Sequence, residues 1–209
     1  MTELDPGGVV RITFDDPATR NALRRTVLTD LVRKLAELTD NPAVRAVVLT
    51  GAGTAFSSGA DRAELGDPTA VAQATELVDE VVELLTTLPV PVLARVNGPA
   101  FGSGLALVAA ADIAIASTDA VFGFPEVRLG LVAGPAMAAC RLRLNRTALL
   151  DLFLTGRRFD AVEATRMGLI ARVVPPAELD AAVATTLADL AQGDPGALAA
   201  TKRTIRAEL

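Results

Sequence analysis

The sequence predicts an α/β fold, and three observations lead to this prediction. Short β-rich segments alternate with helical segments from residue 9 to about residue 120. Several of the β-rich segments are continuously apolar, which is typical of strands that are covered on both faces. Of the 209 residues, 51% are hydrophobic. That share supplies enough apolar surface for a packed core and excludes a disordered chain.

The first half of the chain carries the alternation of strand and helix. The segment Val9–Phe14 is β-rich and ends at residues 15–17, and residues 46–49 form a short apolar strand. Between these strands we expect Asn21 to cap a helix whose leucines and valines share one stripe. Residues 41–42, Asn-Pro, close that helix.

Two further helix–strand pairs follow in the sequence. A helix begins at residues 67–69, Asp-Pro-Thr, and Pro89 stops it before a buried strand at 91–96. A helix of small residues at 105–111 then precedes a strand at 113–116. The four strands and the three helices between them predict a layered core of strands and helices.

After residue 130 the sequence is mostly helical. A short strand at 171–174 is the only interruption that we predict. The predicted helices cover 146–154, 161–167, 176–191 and 195 to the end of the chain. We therefore divide the chain into an α/β core, residues 1–130, and a helical region, residues 131–209.

The residue types that are missing exclude several kinds of chemistry. The chain has no His, Trp or Tyr, and it has a single cysteine, Cys140. Without His, neither a Ser-His-Asp or Cys-His nucleophile nor a His-ligated metal site can be built. One Cys forms neither a disulfide framework nor a Cys-based zinc site. With no His or Tyr and only two Lys, a carboxylate must carry any proton transfer, and we expect no metal.

The charge and the terminus bear on partners and location. The chain has 20 basic and 25 acidic residues, a net charge of −5, which argues against binding to nucleic acid or to an anionic membrane. The acidic segment 1–5 is unlike a signal or transit peptide, and the apolar runs are too short to span a bilayer. We expect a cytoplasmic protein.

The glycine-rich segments match none of the common nucleotide or nucleophile motifs. Residues 51–56 begin like a dinucleotide-binding fingerprint, but Phe56 stands where the third glycine belongs. The sequence contains neither a P-loop nor a G-x-S-x-G elbow. Residues 102–104, Gly-Ser-Gly, precede a helix whose free N–H groups are able to bind negative charge. Spacing alone favours a close-packing turn there.

Five segments, taken together and in order, resemble the crotonase, or enoyl-CoA hydratase/isomerase, superfamily. The similarity extends from Val9 to Arg206. The segments are FSSGAD at 56–61, NGPAFGSG at 97–104, DIAIA at 112–116 with FGFPEVRLG at 122–130, LTGRRFDA at 154–161, and GLI to VVP at 168–175. The resemblance implies stacked ββα units, a superhelix of sheets flanked by helices, with a shortened C-terminal helical trimerisation region. It also implies that the helical region 131–209 serves oligomerisation and covers the pocket.

The resemblance also implies a chemistry. The substrates would be acyl-CoA thioesters, and no other cofactor is expected because coenzyme A is part of the substrate. The backbone N–H groups of Ala60 and Ser103 would form an oxyanion hole for the thioester enolate. Preoriented N–H dipoles stabilise such an oxygen, and losing one donor costs about 3–4 kcal/mol. The assembly would be a homotrimer or a dimer of trimers.

The carboxylates indicate which reaction is expected. By resemblance Glu126 is the catalytic acid/base, whereas Ala106 stands where hydratases carry their other Glu. One carboxylate can take a proton from one carbon and return it to another, which suits a double-bond shift. A weakened hydratase, a thioester lyase or decarboxylase, and a non-catalytic acyl-CoA-binding or assembly subunit stay open. Glu64 is a minor candidate for a second acid.

The substrate-binding residues are also taken from the resemblance. The adenine of CoA would lie against the loop at 57–61, and Arg24, Arg25 and Arg62 are candidate phosphate partners or else ordinary surface charges. We read Asp61 and Asp112 mainly as structural, and we expect an acyl pocket with apolar walls. The residues assigned to substrate and CoA binding are Arg24, Ser58, Gly59, Asp61, Arg62 and Gly102.

Overall fold

The structure is a computed structural model that describes residues 2–207. The strands are β1 Thr2–Leu4, β2 Val9–Phe14, β3 Ala22–Leu23, β4 Ala46–Gly51, β5 Gly59–Ala60, β6 Val92–Val96, β7 Ala100–Phe101, β8 Ile113–Ser117, β9 Val121–Gly123, β10 Arg158–Asp160 and β11 Arg172–Val174. The helices are α1 Arg25–Thr39, α2 Pro68–Thr87, α3 Ser103–Ala110, α4 Gly134–Cys140, α5 Arg146–Thr155, α6 Ala161–Arg166, α7 Leu179–Ala191 and α8 Pro195–Ala207.

A six-stranded sheet organises the described chain, in the order β1-β2-β4-β6-β8-β11. Strand β1 pairs antiparallel with β2, and the other neighbours are parallel. Alternate side chains of the sheet point to opposite layers. Val47 and Leu49 belong to the core that includes side chains of α1, α2 and α3. Val48 packs with Leu179 and Val183 of α7 on the other face. This two-sided cover explains why the strand sequences are continuously apolar.

Two smaller sheets lie beside the main one and carry the candidate site. One has the order β10-β9-β7, and the other pairs β3 with β5. Phenylalanine rings fill the space behind the three-stranded sheet: Phe122 lies 5.6 Å from Phe159, and Phe124 stacks on Phe153 at 4.0 Å between ring centroids. This apolar packing supports a 3₁₀ turn, Pro125–Leu129, which directly follows Phe124.

Most of the predicted elements are present with small shifts of their ends. Asp67 caps α2, because its carboxylate accepts a hydrogen bond from the Thr69 N–H at 2.9 Å. The strands at 121–123 and 158–160 were not predicted, because three residues are too few to show a period. Strands β10 and β11 lie after residue 130 but pair with strands that lie before it. The division of the chain at residue 130 therefore stays a prediction. Residues 1, 208 and 209 of the predicted ranges lie outside the described part.

The prediction that Asn21 caps the first helix is wrong. Helix α1 begins at Arg25, and Asn21 is buried in the left-handed region with φ +59°. Its side-chain oxygen accepts from the Asp16 N–H, and its amide donates to the carbonyls of Ala52 and Ala55. The side chain is therefore used to satisfy buried backbone groups of a neighbouring loop, which sequence-local capping rules do not anticipate.

The last helix, α8, is attached to the core by a partly buried charge cluster. Asp112 follows α3 and forms ion pairs with Lys202 at 2.7 Å and with Arg206 at 2.8 Å. The Lys202 ammonium also donates to the carbonyls of Leu85 and Val90. This arrangement agrees with a structural role for Asp112. Within residues 2–207, no helix is both long enough and apolar enough to cross a bilayer.

Candidate active site

A cavity of about 770 Å³ opens between the loop after β5, the start of α3, the turn Pro125–Leu129 and α4. Helix α2 supplies apolar wall through Val71 and Ala74. Arg24 and Gly59 do not line this cavity. The predicted site residues that do line it are Ser58, Ala60, Asp61, Arg62, Gly102, Ser103 and Glu126. Residues that the resemblance selected from three separate segments of the chain therefore meet at one cavity.

The two segments that carry Ala60 and Ser103 run against each other. A Cβ built on Gly59 would lie 2.5 Å from the Phe101 carbonyl oxygen and 3.4 Å from the Ser103 nitrogen. Gly59 has φ +82°, so both its conformation and its contacts require glycine. Ser103 is the first residue of α3, where a backbone N–H has no acceptor within the helix. These contacts bring Ala60 and Ser103 to one wall of the cavity.

Ser57, which the sequence did not single out, holds the first of these segments. Its buried hydroxyl donates to the Asn21 carbonyl at 2.7 Å and accepts from the Gly59 N–H at 3.1 Å. Gly104 in α3 is packed against it, since a Cβ at Gly104 would lie 2.7 Å from the Ser57 Cβ. The small residues in this part of α3 thus allow the loop and the helix to approach closely.

Glu126 is held in the turn Pro125–Leu129 and lines the cavity. Its Oε2 atom is buried and has no hydrogen-bond partner among the described residues. Burial raises the pKa of Glu126 above the ordinary value of a glutamate. A carboxylate that is shielded from water and free of a cationic partner is suited to accept a proton from carbon.

The other carboxylates on the cavity wall are engaged by arginines. Asp61 accepts from Arg24 at 2.5 Å and from the Ala63 N–H at 2.9 Å, and these two donors hold the pKa of Asp61 below its usual range. Glu64 accepts from the Arg25 side chain at 3.4 Å. Glu126 is therefore the cavity carboxylate without an ion pair in the part of the chain that the structure describes.

The arginines predicted to hold phosphates occupy different surroundings. Arg24 bridges Asp61 and Asp16, and Arg25 donates to Glu64 and to Gln73, so both are already hydrogen-bonded. Arg62 is exposed at the rim of the cavity and forms no ion pair within residues 2–207. Its assignment as a phosphate partner stays a prediction, as do those of Arg24, Ser58, Gly59 and Gly102 as substrate contacts.

Three further arginines on the cavity wall were given no role by sequence reasoning. Arg20 lies beside the predicted Ser58 loop, and Arg128 and Arg158 lie on the side of the three-stranded sheet. The expectation of an apolar acyl pocket is therefore only partly met. Arg128 and Arg158 fall within two of the segments that resemble the family, at 122–130 and 154–161, but the resemblance did not single them out.

The position of the missing acid is fully buried. Ala106 lies in α3, one turn beyond Gly102, and its N–H donates to the Gly102 carbonyl at 3.0 Å. Residues four apart share a helix face. A longer side chain at position 106 would therefore extend from the same side of α3 as the start of the helix, where the cavity lies.

Comparison with known proteins places the chain in a family. A family model described as enoyl-CoA hydratase/isomerase matches residues 5–209. The protein named "Probable enoyl-CoA hydratase echA12" from Mycobacterium bovis is 37% identical over 208 residues, which cover 94% of this chain and 73% of that protein. This identity extends over nearly the whole chain and is not confined to the short motifs.

Solved structures are similar over the same length. An enoyl-CoA hydratase from Mycobacterium smegmatis superimposes with a TM-score of 0.93 and 31% identity, covering 97% of this chain and 80% of that one. An enoyl-CoA hydratase from Bacillus anthracis gives a TM-score of 0.92 and 30% identity, with 98% and 82% covered. These likenesses confirm the predicted crotonase-like fold, and the chain belongs to the enoyl-CoA hydratase/isomerase family of the crotonase superfamily.

Proposed function

We propose that the protein shifts a double bond in an enoyl-CoA thioester and that Glu126 carries the proton. The observation that supports this proposal is the state of Glu126 beside the start of α3: its Oε2 atom is buried, and no cation pairs with its carboxylate among the described residues. The other two carboxylates on the cavity wall, Asp61 and Glu64, are bonded to arginines. A site with one free carboxylate fits a proton shuttle better than the addition of water, for which related hydratases use two.

The proposed reaction needs one acid/base and one oxyanion hole. The N–H groups of Ala60 and Ser103 hold the thioester oxygen while Glu126 takes a proton from C2 of a 3-enoyl group. The electrons of the broken C–H bond form a dienolate, whose charge rests on that oxygen. Glu126 then returns the proton to C4, which leaves a double bond between C2 and C3. The carboxylate ends in its starting state, so no further reactant is consumed.

Coenzyme A is expected at the rim where the loop after β5 meets the segment before β3. Arg20 and Arg62 are both exposed there and line the cavity, and no ion pair neutralises them among the described residues. Two cations of this kind suit the phosphates of CoA.

A cytoplasmic location and a trimer or dimer of trimers remain parts of the proposal. Leu129, Val132 and Leu154 are exposed apolar side chains that a neighbouring subunit would cover.

Hydration of a 2-enoyl-CoA is the second candidate function. The relative and the two solved structures compared above are named as hydratases, which favours it. Ala106 argues against it, because the acid that related hydratases carry there is absent. Cleavage or decarboxylation through the same enolate, and a non-catalytic acyl-CoA-binding role, are the remaining alternatives.

A paired assay tests the proposal. Purified protein is given a 3-enoyl-CoA and, separately, a 2-enoyl-CoA, and the double-bond shift and the hydration are followed by absorbance and chromatography. We expect the shift to be the faster reaction and Glu126→Gln to lower its kcat by about 10²- to 10⁴-fold. Glu37→Gln, an exposed acid on α1, is the matched control. Unchanged turnover in Glu126→Gln would contradict the mechanism, and thioester binding without any turnover would support the binding role.

A further inference from the structure

The Arg158 side chain crosses the three-stranded sheet at Gly123, a position that has no side chain. In that sheet Phe101 pairs with Gly123, and Gly123 pairs with Arg158, so the three residues form one row across β7, β9 and β10. Residues paired across neighbouring strands lie side by side on one face. Because Gly123 has no side chain, the Arg158 guanidinium reaches over it and lies 5.5 Å from the centre of the Phe101 ring.

This row is continuous with the reacting end of the cavity. Phe101 directly precedes Gly102 and Ser103, and the Gly102 N–H donates to the Gly123 carbonyl at 3.0 Å. Both Phe101 and Arg158 line the cavity that holds Glu126. The guanidinium therefore lies on the wall formed by the three-stranded sheet, while Ser58 and Arg62 form the wall expected to receive coenzyme A.

A second cation, Arg128, lies against the segment that leads into Arg158. The side chain of Arg128 donates to the Thr155 carbonyl through Nε at 3.2 Å and through Nη2 at 3.1 Å. It also lies against Gly156, since a Cβ built there would be 3.2 Å from its Nε. Gly156, which precedes Arg158 by two residues, lines the same cavity.

The carboxylates of α5, β10 and α6 are bonded to groups other than Arg128 and Arg158. Asp151 and Glu163 both bind Arg157, and the Asp160 carboxylate caps α6 by accepting from the Glu163 N–H. Neither Arg128 nor Arg158 forms an ion pair within residues 2–207. In a chain whose net charge is −5, this wall is a local site of uncompensated positive charge.

We infer that Arg158, with Arg128 on the wall of the same cavity, determines specificity by binding a carboxylate on the acyl group, so that the substrates are CoA thioesters of dicarboxylic acids. This inference rests on the proposed function, because it assumes that a CoA thioester occupies the cavity. The Phe101 ring orients the guanidinium, and a planar guanidinium suits a carboxylate through two parallel hydrogen bonds. A neutral acyl chain would leave both cations without an anion.

Binding of unreactive thioesters tests the inference separately from catalysis. Glutaryl-CoA and pentanoyl-CoA have five acyl carbons each, and only the first carries a terminal carboxylate; adipyl-CoA and hexanoyl-CoA form the next longer pair. Calorimetry would measure each Kd for the intact protein. We expect the carboxylated member of at least one pair to bind about 10- to 100-fold more tightly. Arg158→Met is expected to abolish this preference, with Arg158→Lys retaining part of it.

The controls separate the possible failures. Arg166→Met removes an exposed arginine outside the cavity and is expected to leave every Kd unchanged. Equal affinities in the wild type, or an equal loss of both affinities in Arg158→Met, would overturn the inference, the latter because Arg158 would then contact coenzyme A itself. If a neutral 3-enoyl-CoA is turned over through Glu126 and no preference is found, only this inference fails. If no CoA thioester binds, the proposed function fails with it.

Discussion

The carboxylate of Glu126 lies directly against the α-carbon of Gly102. A Cβ built on Gly102 would clash with Oε1 of Glu126 and would lie 3.1 Å from its Cδ. Gly102 has φ +50° and ψ −121°, a conformation that residues with a side chain rarely adopt. The next residue, Ser103, begins α3. The expected base and one expected oxyanion donor are thus held beside each other by a position that has no side chain.

Substitution of Gly102 tests this contact. Gly102→Ala adds a methyl group where the Glu126 carboxylate lies and strains the backbone, so we expect kcat to fall at least about 10²-fold although Glu126 itself is unchanged. Gly134→Ala is the matched control, because a Cβ at Gly134 meets nothing within 4 Å and its φ is not positive. Steady-state kinetics and thermal unfolding of both variants measure the effect. Full activity in Gly102→Ala would contradict the contact.

The backbone donor of Ser103 can be removed without breaking the helix. Proline is tolerated at the first position of a helix, where its missing N–H has no helical acceptor. Ser103→Pro is expected to lower kcat/KM by about 10²- to 10³-fold through the loss of one oxyanion donor. Ser103→Ala keeps the N–H and should retain activity. Similar thermal midpoints for both variants would show that the fold is kept, and equal kinetics would exclude a role for this N–H.

The upward shift of the Glu126 pKa can be tested through the pH dependence of activity and through the pH dependence of stability. The base must be ionised, so activity is expected to fall as the pH drops through a value above 4.5, the ordinary pKa of a glutamate. The folded state also binds this proton more tightly than the unfolded state, so the contribution to stability is full at low pH and is lost as the pH rises through the folded pKa.

Glu126→Gln separates the effect on stability from the effect on activity. The neutral amide removes a buried charge without a partner, so we expect a higher thermal midpoint than the wild type at pH 7.5 and equal midpoints near pH 4. Differential scanning calorimetry across this range would measure the gap. A gap that widens at low pH, or a rate profile with its acid limb below 4.5, would contradict the burial of this carboxylate.

Restoring the absent acid tests why hydration is not the expected reaction. In Ala106→Glu the new carboxylate extends from the face of α3 that carries Gly102. We expect the rate of water addition to a 2-enoyl-CoA to rise at least about tenfold relative to the double-bond shift, and the protein to be less stable because position 106 is fully buried. Product analysis by chromatography gives the ratio. A folded variant with an unchanged ratio would argue against a two-acid explanation of hydration.

The partly buried charges around Asp112 are expected to matter for stability. Asp112→Asn leaves Lys202 and Arg206 without their carboxylate, and the loss of one partner of a fully buried pair, about 3–5 kcal/mol, is an upper bound for the cost here. Burial already lowers the pKa of Lys202, which shows that its charge is poorly solvated. Asp30→Asn breaks exposed pairs on α1 and should cost about 0–1 kcal/mol. Urea unfolding would compare the two variants, and equal losses of stability would contradict a special role for the partly buried cluster.

Sequence patterns alone determined the alternation of strands and helices and the cover on both faces of the main sheet. The apolar run at 46–49 predicted a buried strand, and every residue of β4 is buried. Asp67 identified the start of α2 because a cap depends on neighbouring residues. The lack of His and Tyr, with only two Lys, indicated a carboxylate as the proton carrier before any contact was known. The resemblance then selected Ala60, Ser103 and Glu126.

Only the tertiary structure decided which of these groups meet and what surrounds them. The buried Asn21 side chain binds backbone groups of a loop instead of capping a helix, and Arg24 is paired with Asp61. The Arg158 guanidinium lies over the Phe101 ring, on the far side of Gly123. These contacts join residues far apart in the chain and depend on strand register and sheet order. Periodicity reports only neighbours within a turn or a strand. Burial and partnership, which set the pKa of a carboxylate and the availability of a guanidinium, are therefore properties of the packed molecule rather than of its local sequence.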